Sequence, residues 1–147
     1  MDDRALLLRA IALADRCPPS STFRVGALVV AAEGAVLAEG WSGRRDPHDH
    51  AEESALADLG EDPRLAGATV YSSLEPCSAR ASRPLSCTRL ILDAGVVRVV
   101  YAWREPALFV DCHGDELLRD AGLSVVEMSE LAPLVRAANS HLPDVEP

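Results

Sequence analysis

The chain has 147 residues and no lysine; all 14 of its basic side chains are arginine. Schiff-base chemistry is thereby excluded, because no ε-amine is present to form an imine. The absence itself reads as coding bias. No apolar run approaches the ~20 residues that a membrane span needs. The N-terminus, MDDRALLLRAIALADR, starts acidic and has charges breaking up its apolar residues. A signal peptide needs a basic start and an uninterrupted apolar stretch, so none is read and the cytoplasm is the expected compartment. Cysteine is scarce, with four residues. In a reducing compartment, paired cysteines point to metal binding or catalysis before disulfides. Positive charge is in short supply too: 14 basic against 23 acidic residues give a net charge of −9. That balance repels a long polyanion and argues against RNA or DNA editing. A small anionic substrate stays open wherever arginines gather.

The remaining composition, 48% hydrophobic and 25% charged, is that of a globular chain large enough for one domain with its own core. Leu7, Ala10, Ile11 and Ala14 recur at i, i+3, i+4 and i+7, predicting a helix over 3–16 that Pro18 and Pro19 stop. Val25 to Ala31 reads as a buried strand, with Ala35 to Trp41 returning after a Glu33-Gly34 turn as its hairpin partner. A helix is expected from about His50 to Leu59, a strand over 69–73, and a helix from about Ser86 to Ala94 ending at Gly95. Then follow a strand over 96–102, a helix over 115–121, a strand over 123–127 and a helix from Glu130 to about Asn139 capped by Ser129. The tail from about 140 is expected to be loose. No repeat or linker divides the chain, so residues 1–147 form one expected domain. Alternating helices and strands after a hairpin predict an α/β fold: a mixed sheet of about five strands between two helical layers. Ligands of such sheets sit beyond strand ends where helices begin, and His50 and Cys77 both fall at such junctions.

Two segments carry the chemistry. His50-Ala51-Glu52 opens a helix, and LEPCSARASRPLSC (74–87) places Cys77 and Cys87 on either side of nine residues. One histidine and two thiolates give three ligands for zinc with a fourth position open, the count of a catalytic site. A helix N-terminus would stabilise a thiolate, as expected for Cys87. Glu52 is not needed as a ligand. Zinc lowers the pKa of water toward ~7, and a neighbouring carboxylate could take the water proton and pass it on. A purely structural zinc would need a fourth protein ligand; His48, Cys17, Cys112 and His113 are the candidates, and none has the short spacing of closed sites. His48 otherwise reads as a solvated loop residue, Cys112 and His113 as an inert thiol and a loop histidine, and Cys17 as packing at a helix end.

The histidine, the glutamate two residues on, and the Pro-Cys pair match the signature of zinc nucleobase deaminases. The chain resembles the cytidine deaminase superfamily over most of its length. The segments involved are RVGALVV (24–30), GWSGRRDPHDHAEESAL (40–56), GATVYSSLEPCS (67–78), LILDAGVVRVVYAWREP (90–106) and HGDELLRDAGLSVV (113–126). In pattern it is most similar to the deaminase half of the bifunctional riboflavin-biosynthesis deaminase–reductases. The resemblance implies a cytidine deaminase-like fold, Zn2+ held by His50, Cys77 and Cys87, and Glu52 as the catalytic proton shuttle. It implies substrate contacts near Ala51 and the carbonyl of Glu75, and at Ser42, where many relatives have an asparagine. It further implies a homodimer or tetramer and no membrane, with the reductase of the pathway acting separately. Most superfamily members have two residues between the cysteines; this chain has nine.

Arg80, Arg83 and Arg89 gather around the second cysteine. They read either as a solvated loop or as a clamp for a 5′-phosphate, since guanidinium groups pair with phosphate through two hydrogen bonds. Arg44 and Arg45 are weaker candidates for the same task. Trp41 and Trp103 follow strand ends, where packing is expected before stacking on a base. The expected activity is zinc-dependent hydrolytic deamination of an amino-pyrimidine. A diamino-pyrimidinone ribosylamine phosphate of the riboflavin type ranks first as substrate and a cytidine or deoxycytidylate type second. A noncatalytic zinc-binding partner protein with the deaminase fold is the rival from another class.

Overall fold

Val25 to Ala31 contains no polar side chain, the pattern of a strand covered on both faces. In the computed structural model, which describes residues 2–78, 85–104, 106, 113–143 and 145, all five residues of strand β1 (Gly26–Val30) are buried. Strand β2 (Val36–Trp41) returns antiparallel beside it. On the other side β1 pairs antiparallel with β3 (Thr69–Leu74), and β4 (Arg98–Trp103) and β5 (Ser124–Glu127) extend the sheet in parallel. The order β2-β1-β3-β4-β5 is the expected mixed five-stranded sheet.

Two helical layers cover it. Helix α1 (Asp3–Leu13) and the last helix, α5 (Ala132–Ala138), share one apolar cluster on one face, with Leu7, Leu28, Val100 and Val135 at its centre. Helices α2 (Ala51–Leu59), α3 (Cys87–Ala94) and α4 (Gly114–Asp120) pack on the other face through Leu56, Ile91 and Leu118 against Val29, Val70 and Val99. No helix among the described residues is long and apolar enough to cross a membrane.

Helix α1 begins where Asp2 accepts a hydrogen bond from the Ala5 amide at 2.7 Å, a side-chain cap. The expected face of Leu7, Ala10, Ile11 and Ala14 is buried. The last helix departs from expectation. Ser129 is not its cap: residues 129–131 form a 3-10 turn, and α5 starts at Ala132 with Pro133 in its first turn. A proline ring clashes with the carbonyl four residues earlier, here Ser129, so an α-helix cannot run through it. In the stretch expected to be loose, Leu142 and Val145 are buried against Phe23, Val25 and Leu74. Asn139 holds the end of α5 to the start of β1, accepting from Arg24 N at 2.6 Å and donating to Arg24 O at 3.2 Å.

Asp3 ties α1 to the sheet. Tyr71 donates its hydroxyl hydrogen to Asp3 Oδ1 at 2.6 Å, and Arg98 grips both carboxylate oxygens, with Nη1 at 2.8 Å from Oδ1. The Arg98 hydrogen bonds, working against partial burial, hold the Asp3 carboxyl down to about 2 from 3.8. A carboxyl depressed in the folded state contributes stability that is complete above its unfolded value and lost as pH falls through its folded one. Asp3→Asn is therefore expected to cost about 1–2 kcal/mol at neutral pH, the size of one partly exposed charged hydrogen bond. The difference from wild type should shrink between about pH 4 and pH 2, as measured by urea unfolding across that range. A pH-independent difference would contradict the assignment.

Candidate functional site

Three side chains converge beyond the end of β3, where α2 and α3 begin. His50 is the residue immediately before α2, in extended backbone conformation, and its amide donates to Glu53 Oε1 at 3.3 Å. Cys77 follows the end of β3 by three residues, and Cys87 is the first residue of α3. His50 Nδ1 lies 3.3 Å from Cys87 Sγ and 3.6 Å from Cys77 Sγ. All three ligand atoms lie within 4.8 Å of one another. Bonds of ~2.0 Å to nitrogen and ~2.3 Å to sulfur in a tetrahedron put N and S about 3.5 Å apart, so this donor set could hold zinc. Among the described residues it is the one His, Cys, Asp and Glu group so placed, and it stops at three.

The two thiols are not equivalent. Cys87 N, the first amide of α3, donates to Cys77 Sγ at 3.2 Å. Hydrogen bonds from Cys87 first, and then from His50, hold the Cys77 thiol down to about 4 against the effect of its burial. Cys87 is pushed well above the ordinary thiol value by the Cys77 sulfur, by full burial and by Glu52. The sequence suggested that Cys87 would gain from the helix start. The amide at that start serves Cys77 instead, because the first N–H of a helix points back along the axis and away from its own side chain. Ser86 caps the same helix by accepting from Arg89 N at 3.1 Å.

Glu52 sits in the first turn of α2 and is 4% exposed. Its Oε1 is 2.5 Å from Ser72 Oγ on β3, and its carboxylate also faces Cys87. A buried carboxylate beside the three donors could carry a proton there. Two close approaches set this arrangement. A Cβ at Gly40 would lie 2.1 Å from Ala51 O, so the first turn of α2 rests directly on β2. A Cβ at Gly114 would lie 2.0 Å from Pro76 O, so the start of α4 rests on the Cys77 segment. Two hydrogen bonds fasten that second contact: Asp115 N to Glu75 Oε2 at 2.9 Å and His113 N to Ser78 Oγ at 2.8 Å.

The other expected contacts fall as follows. Ala51 is fully buried. Ser42 Oγ accepts from Val25 N at 3.0 Å, pinning the ends of β1 and β2. The Glu75 carboxyl is turned toward α4, while the expectation concerned its backbone carbonyl. Arg80, Arg83 and Cys112 lie outside the described residues. Arg89 pairs with Asp93, Arg44 with Asp58 and Arg45 with Asp49, which engages three of the guanidinium groups considered for phosphate. His48 and His113 are exposed, and Cys17 is half-buried with Sγ 3.6 Å from Val25 O. Trp103 packs edge-on against Phe23, and the guanidinium groups of Arg16 and Arg44 both lie over the Trp41 ring. Ser72 and Asp49 were missed. Asp49 is buried next to His50 and grips Arg45 through both oxygens, at 2.6 and 2.9 Å. The available signal was Ser72 at a buried position of an otherwise apolar strand face.

Gly40→Ala and Gly114→Ala are each expected to cost about 1–3 kcal/mol through overpacking and to weaken zinc uptake measured by chelator competition. Gly34→Ala, where a Cβ meets nothing within 4 Å but φ is +98°, should lower stability and leave zinc uptake unchanged. Equal zinc affinity in all three variants would sink the positioning role of the two contacts.

Residues 1–103 match the family model described as the cytidine and deoxycytidylate deaminase zinc-binding region. The diaminohydroxyphosphoribosylamino-pyrimidine deaminase of Schizosaccharomyces pombe is 40% identical over 125 residues, which cover 82% of this chain and 31% of that protein. The riboflavin biosynthesis protein RibD of Escherichia coli is 37% identical over 127 residues, covering 85% and 33%. Among solved structures, Acinetobacter baumannii RibD gives a TM-score of 0.80 at 30% identity, covering 94% of this chain and 38% of that one. The chain spans about a third of the length of the curated relatives it matches.

Proposed function

The chain belongs to the cytidine and deoxycytidylate deaminase zinc-binding family, and from that premise we propose that residues 1–147 form a zinc-dependent hydrolase that releases ammonia from a small amino-pyrimidine. The observation that carries this reading is Glu52: a buried carboxylate next to a three-donor cluster has a use in proton transfer and none in a structural metal site. The preferred substrate is a diamino-pyrimidinone ribosylamine phosphate, supported by the 40% identity to the Schizosaccharomyces pombe enzyme of that name.

His50, Cys77 and Cys87 hold the zinc, which when bound supplies a Lewis acid that lowers the pKa of water toward ~7. Glu52 takes a proton from the water as its oxygen adds to the ring carbon bearing the amine, and delivers that proton to the adjacent ring nitrogen. It then carries the proton of the new hydroxyl to the amine, the C–N bond breaks, and ammonia leaves. The apolar wall around the site, including Ala51 and Leu74, keeps this carboxylate from bulk water. Arg80 and Arg83 are the proposed phosphate contacts, and Ser42, Ala51 and the Glu75 carbonyl the proposed contacts to the base.

Ammonia release should be fastest with the diamino-pyrimidinone ribosylamine phosphate when compared with cytidine, CMP and dCMP. Faster release from dCMP or CMP would reassign the substrate within the same chemistry. Glu52→Gln should keep its zinc and lose at least about 100-fold in kcat, the scale of a positioned acid–base group. Retained turnover in that variant would overturn the mechanism. Zinc bound with no ammonia from any of the four compounds would favour a noncatalytic partner protein.

A further inference from the structure

Strand β3 sends Val70, Ser72 and Leu74 toward the α2 side of the sheet, since side chains alternate along a strand and Val70 and Leu74 join the clusters that hold Ala55 and Ala51. The middle member of this otherwise apolar row is a serine with no exposure at all. A buried hydroxyl must find partners, or it costs more than its hydrogen bonds return. Ser72 Oγ has two, Glu52 Oε1 at 2.5 Å and the Leu74 carbonyl oxygen at 2.7 Å. A hydroxyl has one hydrogen to give. Of its two neighbours the Glu52 oxygen is the nearer.

We propose that Ser72 is a positioning residue for Glu52, its buried hydroxyl anchoring Oε1 and so holding the carboxyl group beside His50, Cys77 and Cys87. The inference rests on the reading of Glu52 as the proton carrier. Ser72 holds one carboxyl oxygen, Oε1, and leaves the other to carry the proton; no proton passes to or from Ser72.

Ser72→Ala removes the anchor and leaves every proposed zinc ligand in place. Its kcat should fall about 10- to 100-fold, the effect of one hydrogen bond to a charged group, with KM and bound zinc at wild-type values. A role confined to packing would not give that split. A second readout needs no turnover. In a double-mutant cycle of the zinc-loaded protein, Ser72→Ala and Glu52→Ala should shift the urea midpoint by amounts that do not add, because the two groups are directly bonded. Wild-type kcat in Ser72→Ala overturns the proposal, and so do additive midpoint shifts. If Ser72→Ala does not fold, Ser72→Cys keeps the volume with a poor donor and is read in the same way. A wild-type protein inactive on every amino-pyrimidine is a failure of the deaminase reading instead, and the midpoint cycle then decides the role of Ser72 by itself.

Discussion

The hydrogen bond from the Cys87 amide to the Cys77 sulfur, 3.2 Å long, joins the start of α3 to the segment that leaves β3. It fixes the two sulfurs relative to each other however the chain between them runs. Nine residues separate the cysteines here, against two in most of the superfamily. By the logarithmic dependence of loop closure on length, the longer connection costs only about 1 kcal/mol more. His50 completes the group from α2, and α2 and α3 are held in register by the core they share, where Leu56 and Ile91 meet over Val70. The three donors converge because two helix starts are pressed onto the same side of one strand end.

Around that point the protein concentrates polar groups inside an apolar layer. Glu52, Ser72, Asp49, Glu75 and Asp115 are all buried, and each is bonded. Asp49 holds Arg45; Glu75 accepts from the Asp115 amide; Asp115 accepts from the Tyr101 hydroxyl at 2.6 Å and pairs with Arg119. Burial, and then Asp115, pushes the Tyr101 phenol far up, so it remains a hydrogen-bond donor. Such networks are costly when half satisfied and rigid when complete. Their effect is to make the Cys77 segment and the first turn of α2 stiff, which suits the role proposed for Glu52 on an atom a few ångströms away.

The fold was legible wherever a segment has a strong period. The apolar run of β1, the i, i+3, i+4 face of α1 and the Ser86 and Gly95 caps of α3 each led to the observed element. It was not legible at the last helix, where Ser129 looked like a cap and Pro133 moved the helix start past it. The tail misled for a related reason: Leu142 and Val145 have no period, and only the cluster around Phe23 and Leu74 shows what they cover. His50, Glu52, Cys77 and Cys87 stood out because the proposed zinc chemistry needs those residue types in that order. The supporting groups did not stand out, because each acts across a sequence gap. Ser72 meets Glu52 over 20 residues and Asp115 meets Glu75 over 40, and neither pairing leaves a local pattern. The assignment of the stabilised thiolate to Cys77 likewise depends on residues distant in sequence, the Cys87 side chain first and then His50.

Zinc K-edge X-ray absorption on the zinc-loaded protein tests most directly whether these three side chains form an open metal site. Two sulfurs at ~2.3 Å, one imidazole nitrogen at ~2.0 Å and one further light atom outside the protein's histidines are the expected first shell. A third sulfur or a second imidazole would mean a closed, structural site and would contradict the account.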